Sequence, residues 1–282
     1  MSPSRAAVDM AFVREAARGE LTLPSVPRVV RQLIAQLRSP EVSIGVLVAE
    51  LEQEPHLAAR TLRIANSPYY SGRRSLASLA DAVAVIGTEA LRTLVISGGL
   101  QAVFVAVPNV NLRQFWRDAS ITAQAARALA LIAGRDSEAA FLAGLLHQVG
   151  HLILCLAFAD RLPQRLASAK ALRGAELAAL ESQVCGLTHA QVSAAWLDEL
   201  AFPPSVVDAV ALHLQPQEAP DSLAPLVALA TQVAACVEGG DSAETAVDKL
   251  DPVLLTMALG SPRPPDTFAA SYRQIVAGGG LL

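Results

Sequence analysis

Three cysteines are all that this 282-residue chain holds, and they lie far apart at Cys155, Cys185 and Cys236. An odd, unclustered set argues against a disulfide scaffold or a zinc ribbon and points to a reducing compartment. Charge is scarce as well: 17% of residues are Asp, Glu, Lys or Arg, against 52% apolar ones. A disordered chain does not have that composition. There is no basic excess, because the net charge is −4, so the chain as a whole is not drawn to nucleic acid. The charge is uneven, with 11 Arg and 9 acidic residues in 1–92 and 11 basic and 17 acidic residues after it.

The first twenty residues contain no apolar run, being broken by Arg5, Asp9, Arg14, Glu15, Arg18 and Glu20, so no secretory signal is expected. Two uncharged stretches, Thr93 to Leu112 and Ala139 to Ala159, reach the ~20 residues that span a bilayer. The first holds Ser97, Gly98, Gly99, Gln101, Pro108 and Asn109; the second holds His147, Gln148 and His151. Polar groups at the centre of a span are costly. Both stretches are therefore read as buried helices of a cytoplasmic protein with no membrane span.

Alternating strands with hairpin chemistry are absent, and what remains has helical period. Leu79, Ala82, Val83 and Ile86 follow a helix face, with Ser78 and Asp81 as a capping box and Gly87 as the stop. Leu112, Phe115, Trp116, Ala119, Ala123 and Ala126 form a second stripe, running to Gly134. Asp136 or Ser137 caps a helix expected to carry Phe141 to Phe158. Thr188 and Gln191 form another capping box, and Pro55, Pro204 and Pro252 suit first helical turns. The fold class is all-α. A seam at Val107-Pro108-Asn109 separates two halves without a linker, so they are expected to pack as one body.

Several chemical signatures are missing. Gly98-Gly99 completes no phosphate loop, no Gly-x-Ser-x-Gly elbow occurs, and no two cysteines form Cys-x-x-Cys. His147 to His151 has the spacing of a His-Glu-x-x-His zinc helix, in which residues i and i+4 share a face. The place of its general base is taken by Gln148, which cannot accept a proton from zinc-bound water.

Phe141 to Leu154, through Leu145-Leu146-His147-Gln148-Val149-Gly150-His151, resembles the Leu-Leu-His-Asp-Ile-Gly-Lys helix of HD phosphohydrolases. Within that superfamily the chain is most similar to the HD-related output domain, HDOD. Leu23-Pro24-Ser25-Val26-Pro27 resembles its opening motif, and Glu54 to Tyr70 its Asp-Pro…Leu-x-x-Ala-Asn-Ser signature. Leu79 to Leu94, Thr188 to Val192 and Pro203 to His213 resemble its later segments, in order. The resemblance implies a helical N-terminal lobe packed on a C-terminal HD-like lobe. Residues 1–20 are then an N-terminal helical extension and 21–216 the HDOD domain, with its lobes at about 21–107 and from about 108. Residues 217–282 are C-terminal helices that complete or pack on the second lobe.

HD enzymes use divalent metals held by an early His, a His-Asp pair and a distal Asp. By resemblance the early His is Asp118 here, the dyad is His147-Gln148, the following Lys is His151, and His189 and His213 fall at matching positions. Losing the dyad carboxylate removes the anion that balances a cation, so the resemblance implies a degenerate site with no catalytic residue, metal or cofactor. The surviving histidines then read as packing residues. Trp116, Trp196 and the cysteines read as core. Tyr69, Tyr70, Arg73 and Arg74 form a basic and aromatic segment, the candidate contact for an acidic or phosphate-bearing partner.

The expected function is non-catalytic signal transduction through protein binding, in contexts such as two-component or cyclic-dinucleotide networks of bacteria. The partner is expected on a separate chain, since neither flank of the matched region holds a receiver, cyclase or phosphodiesterase domain. Two other readings stay open: a metal-dependent phosphohydrolase of nucleotides or phosphoesters, and a nucleotide sensor that kept the pocket and lost the chemistry.

Overall fold

The computed structural model describes residues 9–16, 25–37, 54–67, 76–167 and 172–278, with single positions at 23, 45, 48, 49 and 51. None of these described residues is in a strand. Tyr69, Tyr70, Arg73 and Arg74 lie outside them.

The N-terminal half contains α1 (Met10–Ala16), α2 (Arg28–Gln36), α3 (Pro55–Ala65), α4 (Leu79–Ile86) and α5 (Thr88–Val103). The C-terminal half contains α6 (Leu112–Ile132), α7 (Ser137–Leu146), α8 (Val149–Ala157), α9 (Leu162–Ala167) and α10 (Gly174–Cys185). It continues with α11 (His189–Glu199), α12 (Pro204–Leu212), α13 (Ala224–Glu238), α14 (Ala243–Lys249), α15 (Pro252–Leu259) and α16 (Thr267–Gly278).

Local chemistry sets many of these boundaries. Ser78 and Asp81 cap α4 reciprocally, and Thr188 and Gln191 do the same for α11. Asp136 accepts the N–H groups of Glu138 and Ala139 at the start of α7, and Asp251 those of Val253 and Leu254 at α15. Pro55, Pro204 and Pro252 stand in first helical turns.

Helix α5 carries the N-terminal lobe, with α2, α3 and α4 against it, and it also touches α7 of the second lobe. The long α6 organises the second lobe, packing against α7, α13 and α16. Gly144 brings α7 and α6 close, since a Cβ there would lie 3.0 Å from the backbone of Thr122 and Ala123. One continuous set of buried apolar residues runs from Met10 to Ile275. Trp116 and Trp196 are both inside it.

Ser97, Gly98 and Gly99 are buried within α5, where they serve helix packing. Of the described residues, only Ser137–Ala157 is long and apolar enough to cross a membrane, and 83% of that window is buried inside the fold. It is a core element.

The expected single helix from Phe141 to Phe158 is corrected by the structure. It breaks at His147-Gln148, giving α7 and α8. The His147 ring turns back to bond Gly144, while Gly150 is drawn against α11, where a Cβ would meet His189 O at 2.2 Å and Ser193 N at 2.5 Å. The close approach of α8 to α11 at Gly150 goes with this break in the helix. His147 is thus the C-cap of α7 while His151 lies in α8, so the two do not stand on one continuous helix.

Candidate functional site

The break between α7 and α8 places His147 beside the ends of two other helices. His147 Nδ1–H donates to Gly144 O at 2.7 Å, and His213 Nδ1–H donates to Val210 O at 2.8 Å. A carbonyl can only accept, so each ring keeps its proton on Nδ1 and a lone pair on Nε2. The His147 and His213 rings meet edge to face at 5.1 Å, and His213 lies 5.4 Å from the His189 ring. All three histidines are buried. Burial, then the neighbouring His189, pulls the His147 pKa down to about 4 despite the bond to Gly144. Burial and the two other rings hold His213 well below the usual histidine value. Both are neutral at pH 7.

A carboxylate stands behind this cluster. Glu181 has no exposed surface, and Oε2 accepts both the backbone N–H and the Nδ1–H of His189, each at 2.7 Å. That backbone N–H opens α11, where the helix dipole favours a negative charge. The other oxygen, Oε1, lies 2.7 Å from His151 Nδ1. Burial alone would push Glu181 up, but His189 and His151 overcome it and bring its pKa down to about 2. Burial likewise opposes charge on His151, yet its bonds to Cys155 and Glu181 raise its pKa to about 10. His151 and Glu181 thus form a buried ion pair.

Ser193 closes the frame. Its Oγ accepts the Gly150 N–H at 2.7 Å and donates to His147 O at 3.0 Å, satisfying backbone groups freed by the helix break.

His147, His189 and His213, singled out in the sequence, are brought together. His151 sits in the neighbouring ion pair, and Gln148 lies at the helix break just ahead of α8. Asp118 faces different company: Gln114 Nε2 donates to its Oδ1 at 2.6 Å, Arg173 lies at 4.0 Å, and its charge raises the pKa of the neighbouring Glu238, which burial raises further. Glu181 and Ser193 escaped the sequence reading. Glu181 had one local signal, because Leu177, Ala178 and Glu181 form a single buried face and an acid on it needs a partner.

The fit to a divalent metal fails on this geometry. Among the described residues, no three of His, Cys, Asp and Glu form a group that could hold an ion. Both oxygens of Glu181 are engaged by histidine N–H groups, Asp118 is engaged elsewhere, and the dyad position offers a neutral amide. His189 Nε2 is buried without a hydrogen-bond partner.

The HDOD domain family model matches residues 23–216. An HDOD domain protein with unknown function from Geobacter sulfurreducens superposes with a TM-score of 0.76 at 22% identity, covering 96% of this chain and 98% of that one. A protein of Marinobacter aquaeolei, provisionally named a signal transduction protein, gives a TM-score of 0.68 at 24% identity, covering 99% of this chain and 67% of that one. An uncharacterized protein of Treponema pallidum is 24% identical over 207 residues, which is 73% of this chain. The chain spans about two fifths of that relative's length, 40%.

Proposed function

The chain belongs to the HDOD domain family, and from that premise we propose that it is a non-catalytic signalling protein that acts by binding a partner on a separate chain. The observation that carries this reading is the engagement of Glu181. The carboxylate nearest the histidines is committed to His151 and His189, so it links α8, α10 and α11 and offers no oxygen to a cation. Gln148 at the dyad position adds no charge. Two of the three clustered rings are held neutral, which suits packing against one another and leaves phosphate without a countercharge.

The work of the molecule is then done by its surface. The basic and aromatic segment at Tyr69, Tyr70, Arg73 and Arg74 remains the candidate contact, and a bacterial cytoplasm is the proposed setting. The provisional name of the Marinobacter protein is consistent with such a role. A second reading is that the chain binds a nucleotide without hydrolysing it.

The test is turnover. Purified protein is assayed with an aryl phosphodiester and with cyclic dinucleotides in added manganese, iron or magnesium. No hydrolysis is expected. Turnover that disappears in His147→Ala overturns the non-catalytic reading. Nucleotides raising the melting temperature without being consumed favour the sensor.

A further inference from the structure

Arg60 stands on α3 with its side chain laid across α5. Its Cδ is 3.4 Å from where a Cβ on Gly98 would be, so the glycine forms the floor under the arginine stem. One terminal nitrogen of the guanidinium donates to Gln101 Oε1. Arg60 is half-buried, and the exposed Arg63, three residues further along α3, sets a second positive charge near it. Among the described residues no ion pair includes either arginine. Arg60 Nε and Gln101 Nε2 are both buried without a hydrogen-bond partner, and Gln101 is only 3% exposed. Like charges at this spacing on a helix repel, and buried donors left unpaired cost free energy. Burial, then Arg63, lowers the Arg60 pKa, the direction expected for a cation without a counter-ion. The fold builds a cationic, donor-rich cluster here and supplies no anion to balance it.

We propose that Arg60 and Arg63 form a binding site for a phosphate dianion, either free or as the monoester end of a small molecule, with Gln101 as the residue that positions Arg60. Two guanidinium charges match the two negative charges of the ligand. Each guanidinium presents planar N–H groups that suit phosphate oxygens. A carboxylate carries a single charge and leaves one of the two arginines unbalanced, so an acidic side chain fits the pair less well. The bond to Gln101 and the seat on Gly98 fix the buried side of the Arg60 head, which leaves its exposed part to the ligand. Half-burial also strengthens the attraction, because the surroundings screen it less than water does. The site lies in the N-terminal lobe, apart from the histidine cluster, and does not depend on the partner-binding reading.

Calorimetric titration of the whole protein tests the site with inorganic phosphate, phenyl phosphate and acetate at constant ionic strength. The pH is set at about 8, where a phosphate monoester is a dianion. Saturable binding of both phosphates is expected, with a Kd of about 1 mM or tighter. Tighter binding of phenyl phosphate assigns the site to an ester, and equal binding assigns it to the free anion. Arg63→Gln and Arg60→Gln should each weaken binding about tenfold, the loss of one charge-assisted hydrogen bond. Arg263→Gln, which removes an exposed arginine of the other lobe, should leave it unchanged. The proposal is overturned if neither phosphate binds saturably, if acetate binds as tightly, or if folded Arg63→Gln binds like the natural chain. Equal weakening by Arg263→Gln overturns it too, because the effect is then one of overall charge. Should Arg60→Gln fail to fold, the exposed Arg63 decides alone.

Discussion

Glu181 Oε1 lies 2.7 Å from His151 Nδ1, joining α8 to α10 across 30 residues of chain. The second oxygen of the same carboxylate does the equivalent for His189 at the start of α11. Three helices therefore meet on one side chain with no exposed surface.

Removing that side chain should be severe. Glu181→Ala leaves a buried imidazolium and an unpaired helix N–H, and breaking a buried pair in this way costs about 3–5 kcal/mol. Glu181→Gln keeps the volume and one acceptor, so it should cost less than Ala yet more than about 1 kcal/mol. Urea unfolding of both variants checks the order. A loss below about 1 kcal/mol for Ala would mean that the carboxylate is not the link described.

The same pair sets the pH dependence. His151 is raised to about 10, so its stabilisation is full below its unfolded value near 6.5 and is lost as pH climbs toward 10. Glu181 is lowered to about 2, so its share is full above about 4.5 and lost as pH falls toward 2. His147 is lowered to about 4, so stability is also lost as pH falls from 6.5 toward 4, and His213 acts in the same direction. Stability should therefore peak near pH 6.5. His151→Gln should flatten the alkaline side, from about 6.5 to 10. Denaturant midpoints across this range provide the measurement, and an alkaline slope that persists in the variant contradicts the assignment.

Much of the fold is legible locally. The caps at Ser78, Asp136, Thr188 and Asp251 need only a side chain and the N–H groups two or three residues on. The stripe from Leu112 to Ala126 likewise marks α6 by its own period. The break at His147-Gln148 is not legible, because the contact that goes with it is made with α11, where Gly150 and Ser193 meet. The pattern from Leu145 to Leu154 continues through the break as apolar helix, so periodicity alone runs α7 into α8. The convergence of His147, His189 and His213 followed only from family resemblance. Glu181 could be flagged as an acid on an apolar face, but its two imidazole partners, 8 and 30 residues distant, could not.

The junction of α8 with α11 gives a third test. Gly150→Ala would place a Cβ 2.2 Å from His189 O, and the obstacle is backbone, so the helices must separate. The loss should reach about 3 kcal/mol, the upper part of the range for overpacking. Ser193→Ala leaves the Gly150 N–H and His147 O without their shared partner and should cost about 1–3 kcal/mol. Calorimetric melting of the two variants gives the comparison. Wild-type melting of Gly150→Ala would contradict the close approach.

The claim that the histidine cluster packs helices and does not hold a catalytic ion is tested most directly by metal titration calorimetry. Zinc, manganese and iron are titrated into the natural protein and into His147→Ala. The expected result is no tight, stoichiometric binding to either protein. About one ion bound tightly per natural chain, and lost in folded His147→Ala, would contradict it.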